Sequence, residues 1–118
     1  MIGMSFTDAR QRMIDALNQI DGINAFDDQP RAMRAGSAWV LFDLGERGPG
    51  AAWSGEWRVV IVLGGDHGAA VDRLDELLPK IVAEFRRTGA GYAHRVQPAT
   101  VRTDRGDMPA VELYVRSE

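Results

Sequence analysis

The chain is 118 residues long, with 45% hydrophobic and 26% charged residues and a formal net charge of -3. Those values fit one globular domain, because a chain of this size buries roughly 65% of the surface its unfolded form exposes. The absence of cysteine excludes disulfides, thiolate metal sites and thiol nucleophiles. The acidic balance argues against a nucleic-acid binder, which carries a clustered basic face.

Met1-Ile2-Gly3-Met4-Ser5 has no basic stretch leading into an apolar core, so no signal peptide is expected. The longest apolar run, residues 59–63, is too short to span a bilayer, and a soluble domain is expected. The first helix begins after Ser5, whose hydroxyl can cap free backbone N–H groups while Asp8 places negative charge at the positive helix end. Phe6, Ala9, Met13, Ala16, Leu17 and Ile20 recur at helical spacing, and Asp21-Gly22 is expected to stop the helix. Ile23-Asn24-Ala25-Phe26 reads as a short extended piece before the turn-rich Asp27-Asp28-Gln29-Pro30.

Two strands are expected over residues 38–44 and 56–63. The second is apolar on both faces apart from Arg58, as in the middle of a covered sheet. Residues 45–55 hold four glycines and a proline and read as a loop or flexible hairpin tip. Gly64-Gly65-Asp66 then starts a second helix with Asp66 as N-cap, an apolar stripe through Val71, Leu74, Leu77, Leu78, Ile81, Val82 and Phe85, and a kink at Pro79. Gly89 closes it. The remainder is a hairpin: a strand from 93 to 103 with Pro98 at an edge or bulge, a turn at Asp104-Arg105-Gly106-Asp107, and an alternating return strand from 110 to 116. Two helices packed on one antiparallel or mixed sheet of four to five strands, an α+β fold, is the solution this order predicts.

The chain offers little from which to build a reaction centre. His67 and His94 lack metal-ligand spacing and read as structural or exposed histidines. Asp27-Asp28 reads as a turn that caps backbone N–H groups. Gly64-Gly65-Asp66-His67-Gly68 joins a strand to a helix N-terminus, where anions can bind, but Asp66 would fill that position with its own charge and no P-loop lysine follows. Arg105-Gly106-Asp107 matches the integrin-binding tripeptide only as turn residues would. No catalytic, cofactor or metal site is expected. Trp39 and Trp57 suit a core or cross-strand role, whereas Trp53 lies in the glycine-rich segment with Arg47 nearby, a pairing typical of binding hot spots. Glu46, Arg47 and Trp53, with Arg105 and Asp107 of the late turn, are therefore the candidate interface residues.

The sequence resembles the tail terminator (minor tail) proteins of long, non-contractile-tailed phages, especially those of actinobacterial hosts. The likeness is carried by the helix containing Ala9-Arg10, Met13-Ile14 and Ala16-Leu17, the turn Ile20-Asp21-Gly22-Ile23-Asn24-Ala25-Phe26, and Pro30. It continues through Gly36-Ser37-Ala38-Trp39-Val40, Trp57-Arg58-Val59-Val60-Ile61-Val62-Leu63-Gly64, the 69–85 helix and Asp107-Met108-Pro109-Ala110-Val111. It covers nearly the whole chain as an order of elements and residue preferences. The resemblance implies a homohexameric ring in the virion that caps the head-proximal end of the tail tube, ends tube polymerisation and docks the head connector, with DNA passing through the lumen. An acidic chain suits a channel through which DNA slides, since tight phosphate binding needs many Lys/Arg contacts. The alternatives are another head–tail joining or tail-completion protein, and a small ligand-binding α+β domain.

Overall fold

The computed structural model describes residues 5–48, 50 and 52–117. Met1 to Met4, and Pro49 and Ala51 of the glycine-rich segment, lie outside them. The chain runs α1 (Phe6–Leu17), β1 (Asn24–Phe26), β2 (Ser37–Arg47), β3 (Trp53–Val62), α2 (His67–Thr88), β4 (Tyr92–Thr103), β5 (Gly106–Ser117). The five strands form one mixed sheet in the order β1-β2-β3-β5-β4, with β1 parallel to β2 and the other neighbours antiparallel. The α+β fold of two helices on a five-stranded sheet is thus what the residue pattern predicts.

Both helices lie on one face of the sheet. Met13, Leu17, Leu77, Ile81 and Phe85 from the helices meet Val40, Val59, Ile61, Leu113 and Val115 from the strands in the main core. The second face has a smaller core at one end, where Trp39, Val60, Val62, Val101 and Ala110 pack with Met33 from the segment before β2. β3 is therefore the central strand and is covered on both sides over its second half, as its unbroken apolar run requires. The two tryptophans of the strands are both buried but on opposite faces, Trp57 under the helices and Trp39 in the smaller core.

The helix ends follow local chemistry. Ser5 Oγ accepts from the Asp8 amide at 3.1 Å and Asp66 Oδ1 accepts from the Ala69 amide at 2.8 Å, while Gly89 closes α2 with φ +68°. The stop of α1 differs from expectation: the helix ends at Leu17, before Asp21-Gly22. There Asn18 turns its side chain onto β1, accepting from the Ala25 amide at 2.8 Å, so an amide side chain terminates the helix by offering its oxygen to the next strand. α2 runs through Pro79 to Thr88 as one helix; Pro79 is exposed, so the helix loses its proline-blocked bond on the solvent side. Val71 and Val82, assigned to the buried stripe by periodicity, are exposed.

The largest correction concerns residues 45–55. Of the two expectations, a loop or a hairpin tip, the segment takes the hairpin: Gly45, Glu46 and Arg47 pair in register with Gly55, Ser54 and Trp53, so the strands run further than residues 44 and 56 and the β2–β3 hairpin becomes a long arm. The arm glycines are bare because aromatic rings cover them. A Cβ at Gly45 would lie 2.9 Å from the Phe6 ring, and one at Gly55 would lie 2.6 Å from Trp57 Nε1. Phe6, Phe42 and Trp57 form a cluster at the base of the arm, with centroids 4.8 and 5.0 Å apart for Phe6–Phe42 and Phe42–Trp57. The β4–β5 turn is likewise tighter than expected, because Thr103 already pairs with Gly106 and only Asp104 and Arg105 lie between.

Trp57 Nε1 donates to Ser117 Oγ at 2.8 Å inside this buried region. Ser117→Ala removes the acceptor and leaves an indole N–H without a partner away from water. It is expected to cost about 1–3 kcal/mol in urea unfolding, with an unchanged denaturant slope.

Candidate interaction surfaces

Three surfaces of the chain are open to solvent. The first is the β2–β3 arm. Beyond the Phe6–Phe42–Trp57 cluster the arm leaves the helix layer, and the molecule reaches 47 Å along its long axis against 25 and 21 Å across. Leu44 and Trp53 are more than half exposed there, at 54% and 52%. Arg47 stands directly opposite Trp53 in the last rung of the ladder, so both side chains leave the same face of the arm. Arg47 has no ion-pair partner among the described residues.

The second surface is a groove of about 670 Å³ between the first half of α2 and the edge strand β4. The helix layer covers β1, β2, β3 and β5, and from β4 only Ala93 packs against the main core. Val71 and Leu74 of α2 therefore face Val96 and Pro98 of β4 across open space, with Pro109 and Val111 of β5 on the floor. His67 and Thr100 stand at its margin, and Asp107 is the one formally charged residue among the described residues that line it. Asp107 has a loose internal partner, Arg102, at 4.0 Å with both side chains well exposed. β4 is also the longer of the two open sheet edges, and Pro98 within it supplies no amide for further strand pairing.

The third surface is the polar half of the sheet face opposite the helices. Two bulges shape it. One inserts Asp43 between Phe42 and Leu44, and the other inserts His94 between Ala93 and Arg95. Each extra residue is thereby aimed at a charge on β3. Arg58 Nε donates to both Asp43 carboxylate oxygens at 3.1 Å and Arg58 Nη1 donates to Glu112 Oε2 at 2.8 Å. Glu112, and then Asp43, hold the guanidinium pKa above its ordinary value. On the next rung Glu56 accepts from Arg116 Nε at 2.6 Å and meets His94 Nε2 at 3.3 Å. Burial pushes the Glu56 carboxyl up, but hydrogen bonds from Arg116 and His94 together with their charges outweigh it and leave the group below the usual glutamate range. The Arg95 guanidinium lies 5.2 Å from the Tyr114 ring centre and donates to Gln97 at 2.9 Å. The charges on this face are matched within it, so it is a stiff, self-satisfied surface with no single-sign field to attract a charged ligand.

The five interface candidates fall into two groups. Glu46, Arg47 and Trp53 come together on the arm, and Arg105 and Asp107 come together at the β4–β5 turn. The groups sit at opposite ends of the strands, because β3 starts at Trp53 on the arm and ends at Val62, next to Leu63 of the groove. Val71, Leu74, Val96 and Pro98 are not among the sequence candidates for an interface. Their signal was present as surplus: α2 and β4 carry more apolar positions than the faces they bury. The other features considered for chemistry have structural roles. Asp66 is occupied as a cap, Asp28 accepts from the Gln29 amide at 2.8 Å, and His94 pairs with Glu56. Among the described residues no group of three or more His, Asp or Glu could hold a metal ion, and no helix is long and apolar enough to cross a membrane.

No family model matches the chain, and no curated protein matches its sequence.

Proposed function

We propose that this chain is a structural assembly protein that closes into a homomeric ring of the tail-terminator type. In this reading the ring caps the head-proximal end of a phage tail tube, ends tube polymerisation, docks the head connector and lets DNA pass through its lumen. The observation that carries the reading is the pair of unlike, partly apolar surfaces at opposite ends of one elongated protomer, the arm at Trp53 and the groove at Val71 and Val96. A ring needs such an arrangement. Head-to-tail contacts join two different patches, and they close when the rotation between copies permits. Exposed apolar groups that cluster, as Leu44 with Trp53 on the arm and Val71 with Val96 in the groove, mark sites of protein contact.

The groove also lies within the roughly 300–1,000 Å³ range of small-molecule sites, and its apolar walls with His67, Thr100 and Asp107 at the margin support a second reading as a ligand-binding domain. Light scattering on the purified chain separates the two. A ring of six gives a mass near six times 13.0 kDa, and the purified ring, added to polymerising tail tube protein, shortens the tubes. A protein that stays monomeric at every concentration and leaves tube length unchanged would sink the ring reading.

A further inference from the structure

The arm and the groove match each other in chemistry yet cannot meet within one chain. Trp53 and Leu63 are separated by the full length of β3, which spans about 33 Å at the rise of an extended strand. The arm carries an exposed indole with an arginine opposite it that has no ion-pair partner among the described residues, and the groove is an apolar trough with a single carboxylate among its described lining residues. The signs are complementary: Arg47 on the arm against Asp107, whose only ion pair among the described residues is the loose contact to Arg102.

We propose that the β2–β3 arm of one copy seats in the α2–β4 groove of the next, with Trp53 packed between Val71 and Val96 and Arg47 paired to Asp107 of the partner subunit. The inference rests on the ring reading above and names the contact that would build it. An indole has the size to anchor such a contact, since a tryptophan buries about 150–250 Å². A central aromatic flanked by an arginine is the arrangement that carries most of the energy in protein interfaces. The contact is made by side chains entering a trough rather than by an added strand, because Pro98 interrupts the donors along the β4 edge. It also uses a different patch on each copy. A copy whose groove is filled still presents a free arm, so addition continues until the last arm finds the first groove.

The chain has no cysteine, so a pair introduced by mutation reports only on its own proximity. In the full chain, Ala52→Cys places a thiol at the arm tip and Thr100→Cys places one at the groove margin. Under mild oxidation the double variant is expected to give a ladder of covalent multimers on a non-reducing gel, while each single variant gives none. Arg47→Asp and Asp107→Arg are each expected to weaken association about tenfold or more, and the two together to restore it; unchanged circular dichroism shows that the variants are folded. Ladder formation with charge-swap rescue supports the docking. Dimers from Ala52→Cys alone mean that arms meet arms, and overturn it. A chain that remains oligomeric by light scattering without a ladder or any response to the charge changes also overturns it, while leaving the ring reading intact. A monomer at all concentrations overturns both.

Discussion

Gly36→Ala is expected to leave no cooperatively folded protein at 37 °C. Gly36 stands at the start of β2 with φ +93°, a region an alanine adopts only under strain, and a Cβ placed there would overlap the Gly22 carbonyl oxygen. Neither backbone can step aside cheaply. The Gly36 amide donates to Val62 at 2.8 Å and its carbonyl accepts from Asn24 at 2.9 Å, while Ile23 is held to Ile20 at 3.1 Å. Relieving the overlap means lifting β1 off β2 and losing the Asn18 clasp on Ala25. Strain of about 1–3 kcal/mol for the dihedral, joined to the loss of that edge, consumes much of the roughly 5–15 kcal/mol that holds a domain together. The melting temperature should fall by more than about 15 °C. Gly106→Ala is the control. It has a similar φ of +102° with nothing within 4 Å of the added carbon, so it tests the dihedral alone and should cost far less. Equal effects from the two changes would show that close backbone approach at Gly36 is unimportant.

Phe85→Ala is expected to cost about 3–5 kcal/mol, the range for emptying a packed aromatic site. Phe85 is the largest fully buried side chain and lies in the last turns of α2, where it belongs to the core shared by both helices and the sheet. Its position near the end of α2, before the Gly89 cap and the turn into β4, leaves little freedom for the helix to slide into the void. Phe85→Leu keeps most of the volume and should cost less than about 1.5 kcal/mol. Urea unfolding with an unchanged slope measures both. A loss near 1 kcal/mol for the alanine variant would mean that the helix collapses onto the sheet.

The helices, the central strand and the order of elements are legible in the sequence because burial enforces period there. Met13, Leu17, Leu77, Ile81 and Phe85 repeat at helical spacing, and the 59–63 run is apolar on both faces as a central strand must be. The arm's strands are read too short because Gly45 and Gly55 are punctuation in sequence but strand residues in space. Gly45 and Gly55 are small so that the Phe6 and Trp57 rings can lie over them, a long-range contact that no local pattern encodes. The stop of α1 is missed for a related reason, since Asn18 acts on Ala25 rather than on its own helix. At the candidate surfaces, the arm residues Arg47 and Trp53 stand out by type. The groove does not, because an apolar face left open by one chain reads the same as one it buries. Its opening depends on how far the helix layer extends over the sheet, a tertiary quantity.

The central position of β3 also shapes how the protein is made. β2 and β3 are neighbours in the chain and can zip as soon as both exist, but the other side of β3 belongs to β5, in pairs such as Val62 with Ala110 and Trp57 with Val115. Closing that seam waits on everything between, and non-local closure of this kind slows folding. A nascent chain translated only through α2 therefore carries the bare side of its most apolar strand, an edge open to pairing with other chains. Synthesis on crowded ribosomes becomes the hazardous stage of this protein's life, and chaperones that shield strand edges should matter most to its yield during translation.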